Sequence, residues 1–332
     1  MLTAMLALSQ NAYALTLASP TDLVLKTSVK FPKSGETFRV EARSFAFDLT
    51  RANVDWFLNG KLVASGRGLR VQEFTATRLG SVMNIETAAI SETGVEYEAS
   101  LFAAINDVDL ILHPLTYAPA FYRGSPLPTP GSIVEITALP HVFPASPAGG
   151  RNGVRVSAAN LIYEWKIDNI FLGNESGGGK NKLTLALADV SGSDYIVSVK
   201  VSLPAGQVGL PDNNVAAEKS VRVQTVNPEI LFYRTNSLTG ILPSAFSSLK
   251  ISAGEKIAVS AEPYFFDLVS LAKAAFSWLA DGAPLKDIKN PRVLELESQA
   301  GSDSQGAFNL KIEDKKTIFQ NAEANLSITS SL

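Results

Sequence analysis

The chain has 332 residues, of which 46% are apolar and 18% charged, and its formal net charge is −3. This length favours two or three domains, and the apolar content excludes an intrinsically disordered chain. A slightly acidic chain lacks the basic surplus of a nucleic-acid-binding protein, and the absence of cysteine excludes disulfides, thiolate metal sites and cysteine nucleophiles.

Residues 1–14 are predicted to be a signal peptide. The run from Met1 to Ser9 is apolar but too short to span a bilayer, and Ala12-Tyr13-Ala14 offers the small residues that a signal peptidase requires. The usual basic residues are missing, so an edge strand or an N-terminal helix is the alternative. We therefore expect an exported protein, at the cell surface, in the periplasm or outside the cell. No later apolar run is long enough to predict a transmembrane segment in the mature chain.

A three-fold internal repeat dominates the rest of the sequence. In each copy a glycine is followed seven residues later by an alanine, five residues after that by a phenylalanine, and then by one of the chain's three tryptophans. The glycine predicts a turn, and the alternating residues after it predict a strand whose small alanine accommodates the indole of the facing sheet. The predicted core residues are Ala42, Phe47 and Trp56 after Gly35, Ala138, Phe143 and Trp165 after Gly131, and Ala261, Phe266 and Trp278 after Gly254.

Each tryptophan stretch ends in a residue pair that favours a tight hairpin turn. The pairs are Asn59-Gly60, Asp168-Asn169 and Asp281-Gly282. The stretch from Trp56 to Lys61 resembles strand C and the following turn of an immunoglobulin-like domain, and Ala42 stands where many of those domains place their first core cysteine. The copies also resemble the PKD-type repeats of exported bacterial proteins, although the aspartate-rich turn of those repeats is only partly matched. The resemblance implies an all-β protein of three tandem Ig-like β-sandwich domains, arranged as an elongated rod.

A second repeated element predicts the domain boundaries. Phe121-Tyr122-Arg123 and Phe232-Tyr233-Arg234 are each preceded by a proline, which suits a linker that enters an edge strand. We place the boundaries near His113-Pro114 and near Val226-Asn227-Pro228. The predicted Ig-like domains are therefore residues 15–113, 114–226 and 227–332. In the second domain the stretch 144–159 is rich in Pro, Ala and Gly, and it is predicted to be a surface loop suited to recognition.

No motif in the chain predicts catalysis, a cofactor or a metal centre. The run Gly177-Gly178-Gly179-Lys180 lacks the earlier glycine and the following Ser or Thr of a phosphate-binding loop, so we interpret it as a hairpin. Neither His113 nor His141 accompanies a nucleophile motif. His141 stands where the other copies carry Phe45 and Tyr264, which favours a packing role.

Two further clusters leave alternatives open. The run Asn106-Asp107-Val108-Asp109 supplies only three side chains toward the six to eight oxygens of a Ca²⁺ site, so solvated strand-end residues are expected and calcium is the alternative. The aromatic pairs Phe121-Tyr122 and Phe232-Tyr233 would suit stacking on a glycan, but their strict repetition favours packing within or between domains.

Our leading functional hypothesis is an exported, non-enzymatic protein with a binding, adhesion or structural role in the cell envelope. Its partner is an unknown protein or glycan, and no nucleic-acid partner is expected. The alternative is a carbohydrate-binding accessory module that acts with an exported enzyme. An enzyme with an unfamiliar site is the third hypothesis. An Ig-like sandwich by itself does not decide among them, since the fold carries many unrelated functions.

Overall fold

The computed structural model describes residues 22–143, 154–204, 215–236, 238–286, 288–298 and 304–331. The predicted signal peptide at 1–14 and most of the predicted loop at 144–159 lie outside these residues. The described elements are β-strands, apart from one four-residue helix and one 3-10 turn. The prediction of an all-β chain is therefore confirmed.

The first sheet pair contains seven strands. They are β1 (Leu23–Thr27), β2 (Thr37–Ser44), β3 (Asn53–Leu58), β4 (Lys61–Arg67), β5 (Val71–Thr75), β6 (Val82–Ile90) and β7 (Glu96–Ala104). One sheet has the order β1-β2-β5 and the other the order β4-β3-β6-β7. Alternate side chains, among them Val40, Trp56 and Ile85, fill one core, because successive residues of a strand point to opposite faces. Pairing of β2 with β5, and of β3 with β6 and then β7, is the arrangement of an immunoglobulin-like sandwich.

The second sheet pair repeats this order. Its strands are β8 (Asp107–Pro114), β9 (Ile133–His141), β10 (Ile162–Ile167), β11 (Ile170–Phe171), β12 (Gly177–Gly178), β13 (Lys182–Ala186), β14 (Asp194–Ser202) and β15 (Val215–Gln224), with a 3-10 turn at Ala158–Asn160. The sheets have the orders β13-β9-β8 and β11-β10-β14-β15, and β12 also pairs with β10. Ile136, Trp165 and Val199 are among its fully buried side chains.

The third sheet pair has an added parallel strand. Its elements are β16 (Glu229–Asn236), β17 (Gly240–Phe246), β18 (Ser248–Ser252), β19 (Lys256–Tyr264), α1 (Leu268–Leu271), β20 (Ala275–Ala280), β21 (Ala283–Pro284), β22 (Val293–Glu297), β23 (Ser304–Glu313) and β24 (Asn321–Ser331). The sheets have the orders β17-β16-β19-β22 and β18-β24-β23-β20-β21. Strand β18 runs parallel to β24, and Trp278, Leu310 and Ile312 lie in the core.

The chain divides into two compact units. The first takes the described residues up to Asp107, those of 141–156 and those of 202–217, and the second takes those of 108–140, 157–201 and 218–331. Most of the second sheet pair and all of the third therefore belong to one unit. The predicted boundary at His113-Pro114 falls at the end of β8, whereas Val226-Asn227-Pro228 lies between β15 and β16. The division into three domains stays a prediction.

The two Phe-Tyr-Arg motifs differ in structure. Phe232-Tyr233-Arg234 lies in β16, but Phe121-Tyr122-Arg123 lies in a turn of the long connection between β8 and β9. The expectation of an edge strand is wrong for both motifs. The second motif enters β16, which lies between β17 and β19 and is therefore an inner strand. The first motif enters no strand. The physical reason is that prolines at 126, 128 and 130 follow it, and proline lacks the N–H that a strand ladder needs.

Candidate functional site

The predicted core residues do not all have the same environment. The three repeat alanines and the three tryptophans are buried. The phenylalanines differ: Phe266 is buried, Phe47 is half-buried and stacks on Tyr97 with ring centroids 4.2 Å apart, and Phe143 is half-buried beyond the end of β9. The alanine and tryptophan positions are thus the repeated part of the core.

Each tryptophan is tied to its repeat alanine through one short segment of backbone. The indole N–H donates to the carbonyl of one residue, and the carbonyl of the next residue accepts the N–H of the repeat alanine. The indole acceptors are Leu69 at 2.8 Å, Lys180 at 2.9 Å and Pro291 at 2.9 Å, and the alanine acceptors Arg70, Asn181 and Arg292 all lie at 2.8 Å. This arrangement satisfies a buried indole donor and joins the two sheets of each pair.

The predicted hairpin turns carry a second repeated contact. Their first residues have φ angles of 51°, 49° and 48° at Asn59, Asp168 and Asp281. Each side-chain oxygen accepts a backbone N–H from a neighbouring strand. The donors are Asn84 at 2.9 Å, Ile196 at 2.9 Å and Ala307 at 3.0 Å. Asn and Asp suit this position because they tolerate positive φ and also supply the acceptor.

Residues 115–131, which connect β8 to β9 and which we call the strap, pair with the third sheet pair inside the second unit. The N–H of Tyr117 donates to the carbonyl of Phe266 at 2.7 Å, and the N–H of Phe265 donates back to the carbonyl of Tyr117 at 2.7 Å. Leu268 donates its N–H to the carbonyl of Leu115 at 3.1 Å. These three bonds join the connection of one sheet pair to the loop after β19 of the next.

Aromatic side chains of the strap cover aromatic side chains of the third sheet pair. Phe121 packs edge-on against Tyr233 with ring centroids 5.0 Å apart, and Tyr122 packs edge-on against Tyr264 at 5.4 Å. The hydroxyls of Tyr233 and Tyr264 are 2.6 Å apart, and the two residues are 5% and 3% exposed. Burial, and then the bond with Tyr233, raise the pKa of Tyr264. The motif aromatics therefore pack across the strap, and a buried Tyr233 ring presents no face to a sugar.

Gln320 is the central polar residue under the strap. It is fully buried, and its Nε2 donates to Thr129 Oγ1 at 2.9 Å and to the carbonyl of Pro130 at 2.7 Å. Its Oε1 accepts the N–H of Asp267 at 2.7 Å, and Asp267 in turn caps α1 through the N–H groups of Val269 and Ser270. Both ends of the buried amide are thus satisfied, one by the strap and one by the third sheet pair.

A buried carboxylate holds the other end of the strap. Glu262 is 5% exposed and accepts the Tyr117 hydroxyl at 2.9 Å and the Ser260 hydroxyl at 2.8 Å. The Arg292 guanidinium lies 4.9 Å from the centroid of the Tyr117 ring. Burial, and then the hydrogen bond to Glu262, raise the pKa of Tyr117. A buried carboxylate is tolerated when donors such as these replace the water it has lost.

A third contact joins the loop after β13 to the turn before β24. Asp189 accepts the N–H groups of Ile318 at 3.1 Å and Phe319 at 3.4 Å. Beside it, Gly131 has φ +75°, and a Cβ built there would lie 2.8 Å from Thr317 Cγ2. The repeat glycine of the second copy thus serves a close approach as well as a turn.

The remaining sequence candidates show no shared site. His113 is exposed near the end of β8, and His141 lies at the end of β9. Phe45, the predicted counterpart of His141, is 96% exposed, so the aromatic position is not a repeated packing position. The glycine run forms β12 against β10, and the Lys180 ammonium donates to the carbonyl of Asn174 at 2.6 Å.

The acidic run before β8 does not gather into a metal centre. Asp109 lies 3.3 Å from the Lys219 ammonium, and Asn106, 3% exposed, accepts the N–H of Phe143 at 3.0 Å. Within the ranges that the structure describes, no three His, Cys, Asp or Glu side chains are placed to hold a metal ion. No helix among the described residues is long and apolar enough to cross a membrane.

Sequence reasoning missed the polar residues under the strap. They are Tyr117, Thr129, Asp189, Glu262 and Gln320. The only available signal was local and concerns Glu262, which interrupts a stretch that is otherwise apolar or small. The partners of Glu262 and Gln320 are 145 and about 190 positions away in the sequence, so no spacing rule connects them.

Comparison with known proteins gives no family. No protein-family model matches the sequence, and no curated protein is significantly similar. Among solved structures, the chain is similar to the fibronectin(III)-like modules of CbhA from Clostridium thermocellum, with 13% identity over 60% of this chain and 93% of that chain and a TM-score of 0.26. It is also similar to the central fibronectin-III array of RIM-binding protein, with 12% identity over 93% and 96% of the two chains and a TM-score of 0.29.

A third similar structure is SGBP-B of the mixed-linkage glucan utilization locus of Bacteroides ovatus, solved in complex with a mixed-linkage heptasaccharide. It has 12% identity over 98% of this chain and 71% of that chain, with a TM-score of 0.21. At these values the similarities assign no ligand or partner. We therefore infer function from the contacts described above, and foremost from the strap.

Proposed function

We propose that this chain is an exported, non-enzymatic protein of tandem Ig-like domains, with a binding, adhesion or structural role in the cell envelope. Residues 15–113, 114–226 and 227–332 are its domains, residues 1–14 its signal peptide, and its partner is a protein or a glycan. The single observation that supports this role best is the strap. A binding or load-bearing protein needs its recognition loops held in a fixed arrangement, and the strap holds the second and third sheet pairs together.

Buried polar groups hold the strap against the third sheet pair, and their hydrogen bonds form only in the observed arrangement. Gln320 and Glu262 are buried with all their hydrogen bonds divided between strap and third sheet pair. A shift that breaks these bonds without admitting water leaves buried polar groups unpaired, at a cost of about 1–3 kcal/mol for each group. The contact between the strap and the third sheet pair therefore resists small rotations of one against the other more than an apolar contact of the same area would.

The test is made on the native cell envelope. We expect N-terminal sequencing of the mature protein to begin near residue 15, and surface-directed labelling to modify the chain on intact cells. Cross-linking in the native envelope, followed by affinity capture of the tagged full chain, should then retain a defined partner. An unprocessed chain inside the cell, protected from the label and without a cross-linked partner, would contradict the proposal.

The carbohydrate-binding alternative needs a surface other than the motif aromatics. Tyr233 is buried and Tyr122 is engaged edge-on with Tyr264 and Phe265. Binding on a glycan array that persists in Tyr122→Ala would place a sugar site elsewhere and favour this alternative. Absence of binding to any glycan favours a protein partner.

A further inference from the structure

Among the described residues, the third sheet pair has a parallel strand with no counterpart in the first sheet pair. In the third, β18 pairs in parallel with residues 327–331 of β24, from Ser248 opposite Ser327 to Ser252 opposite Ser331. The corresponding strand of the first sheet pair is β7. Trp56 pairs with Thr87 and Thr87 with Ala99, just as Trp278 pairs with Leu310 and Leu310 with Ala324. Counting three residues onward from Ala99 and Ala324 places Phe102 at the position of Ser327.

In the part of the chain that the structure describes, no strand is hydrogen-bonded to the outer edge of β7. Among the described residues β7 pairs with β6 alone. The segment Ser28-Val29-Lys30-Phe31 repeats the residue pattern of Ser248-Leu249-Lys250-Ile251 in β18, yet it forms no strand. Pro32 follows it directly and lacks the N–H that would continue a ladder. The strand that closes the third sheet pair therefore has a sequence counterpart in the first that does not close it.

A cleft occupies the place of the missing strand. It has a volume of about 430 Å³ and lies between residues 25–32 on one side and residues 101–104 on the other, with Val215 and Ala216 at its margin. Phe102 is 48% exposed there. Lys26 and Lys30 also line the cleft, so its rim is basic. Unpaired backbone groups, exposed apolar side chains and a positive rim together suit an extended, acidic segment.

We propose that the free edge of β7, at residues 102–104, binds an extended peptide strand of a partner protein in the parallel orientation that β18 takes beside β24. Backbone hydrogen bonds to the edge hold the strand, and alternate apolar side chains of the peptide enter the cleft between Phe31 and Phe102. An acidic residue of the peptide faces Lys26 and Lys30. The proposal rests on the binding role given above and names its mode.

The probe is a synthetic peptide with the sequence of β18, changed at one position. The sequence Ser-Ser-Leu-Glu-Ile-Ser-Ala corresponds to residues 247–253 with glutamate in place of Lys250. Residue-resolved amide hydrogen exchange of the full chain is measured with and without it. We expect saturable slowing of exchange within residues 102–104, by about tenfold at saturation. The same peptide with alternate N-methylated amides, which cannot donate to an edge, should give no slowing.

Charge and orientation are tested with matched variants. Lys30→Glu should weaken binding about fivefold, whereas Lys33→Glu, which makes the same charge change outside the cleft, should not. Since the chain has no cysteine, Phe102→Cys allows clean disulfide trapping. A parallel strand predicts cross-linking to a cysteine at the start of the peptide rather than at its end. Leu62→Cys, on the edge strand β4 of the same sheet, is the control and should trap neither peptide.

Three outcomes would overturn the proposal. They are absence of slowing within residues 102–104, slowing confined to β24 because the peptide displaces β18, and full protection of residues 102–104 in the free chain. Cross-linking only at the end of the peptide would overturn the parallel orientation. Failure of the export test leaves these outcomes unaffected, because the peptide experiment uses the purified chain, so the two proposals fail separately.

Discussion

The glycines of this chain differ in the space available to an added Cβ, and Gly131 is one of the most restricted. Its φ of +75° and the 2.8 Å approach of Thr317 Cγ2 both oppose a Cβ, whereas Gly192 in the same sheet pair has φ +70° and nothing within 4 Å. Both alanine variants should lose about 1 kcal/mol from the positive φ. Gly131→Ala should lose about 1–3 kcal/mol more, because the strap and the turn at Thr317 must separate. Urea unfolding of both variants measures this. Equal losses of unfolding free energy in the two variants would show that the close approach of Thr317 to Gly131 does not affect stability.

Tyr264 makes the free energy of unfolding depend on pH. Because burial and Tyr233 raise its pKa in the folded protein, the unfolded chain loses this proton at lower pH than the folded protein does. The stabilisation is therefore complete below about pH 10, the ordinary value for tyrosine, and is lost as the pH rises through the folded pKa. We expect the free energy of unfolding to fall above about pH 10, and to fall less steeply in Tyr264→Phe. Tyr97→Phe, in the first sheet pair, is the control and should keep the wild-type slope.

At the scale of elements, the strap joins the second sheet pair to the third through its own packing. Phe121→Ala should remove the edge-on contact with Tyr233 and lower the free energy of unfolding by about 2–3 kcal/mol, less than the full cost of a deeply buried phenylalanine. We also expect faster proteolytic cleavage within residues 115–131. Phe45→Ala, at a 96% exposed position, should change neither quantity. Unchanged cleavage in Phe121→Ala would show that the backbone bonds of Tyr117 hold the strap without the aromatic contact.

The repeated strands behave differently from the strap. Three features recur in all three sheet pairs: the tryptophan strand, its hairpin turn and the segment that accepts the indole N–H. The same local structure is therefore formed three times. The long connections are not repeated. One of them, the strap, carries the prolines, the aromatic contacts and the buried polar groups that join the second sheet pair to the third.

At the scale of the whole molecule, the strap predicts shared unfolding of the second and third sheet pairs. Amides in the cores of β10 and β23 should exchange through openings of equal free energy, since the two sheet pairs belong to one compact unit. Gln320→Ala should separate these values by about 1–3 kcal/mol, because it leaves Thr129 and the N–H of Asp267 without their buried partner. Gln305→Ala, an exposed position on β23, is the matched control. Different opening energies in the wild-type chain would contradict the coupling.

The sequence by itself determined the sandwich units. Alternating apolar residues, the glycine before each alanine and the Asn or Asp at each hairpin turn are local signals with local physical causes, and the structure contains all of them. The tryptophans and alanines were predictable for the same reason, because period-two patterning fixes which face of a strand is buried. The phenylalanines lie beyond the strand ends, where that patterning no longer applies, and of the three only Phe266 is fully buried.

Only the tertiary structure decided how the second and third sheet pairs are joined. Gln320 and Thr129 are 191 positions apart, and Tyr117 and Glu262 are 145 apart, so their pairing has no trace in local spacing. The same is true of the Phe-Tyr-Arg motifs, which look equivalent in sequence yet form a turn in one case and a strand in the other. The pattern of a strand depends on residues that are neighbours along the chain. The contacts between two sheet pairs depend on residues that are far apart in the sequence and are brought together by the fold.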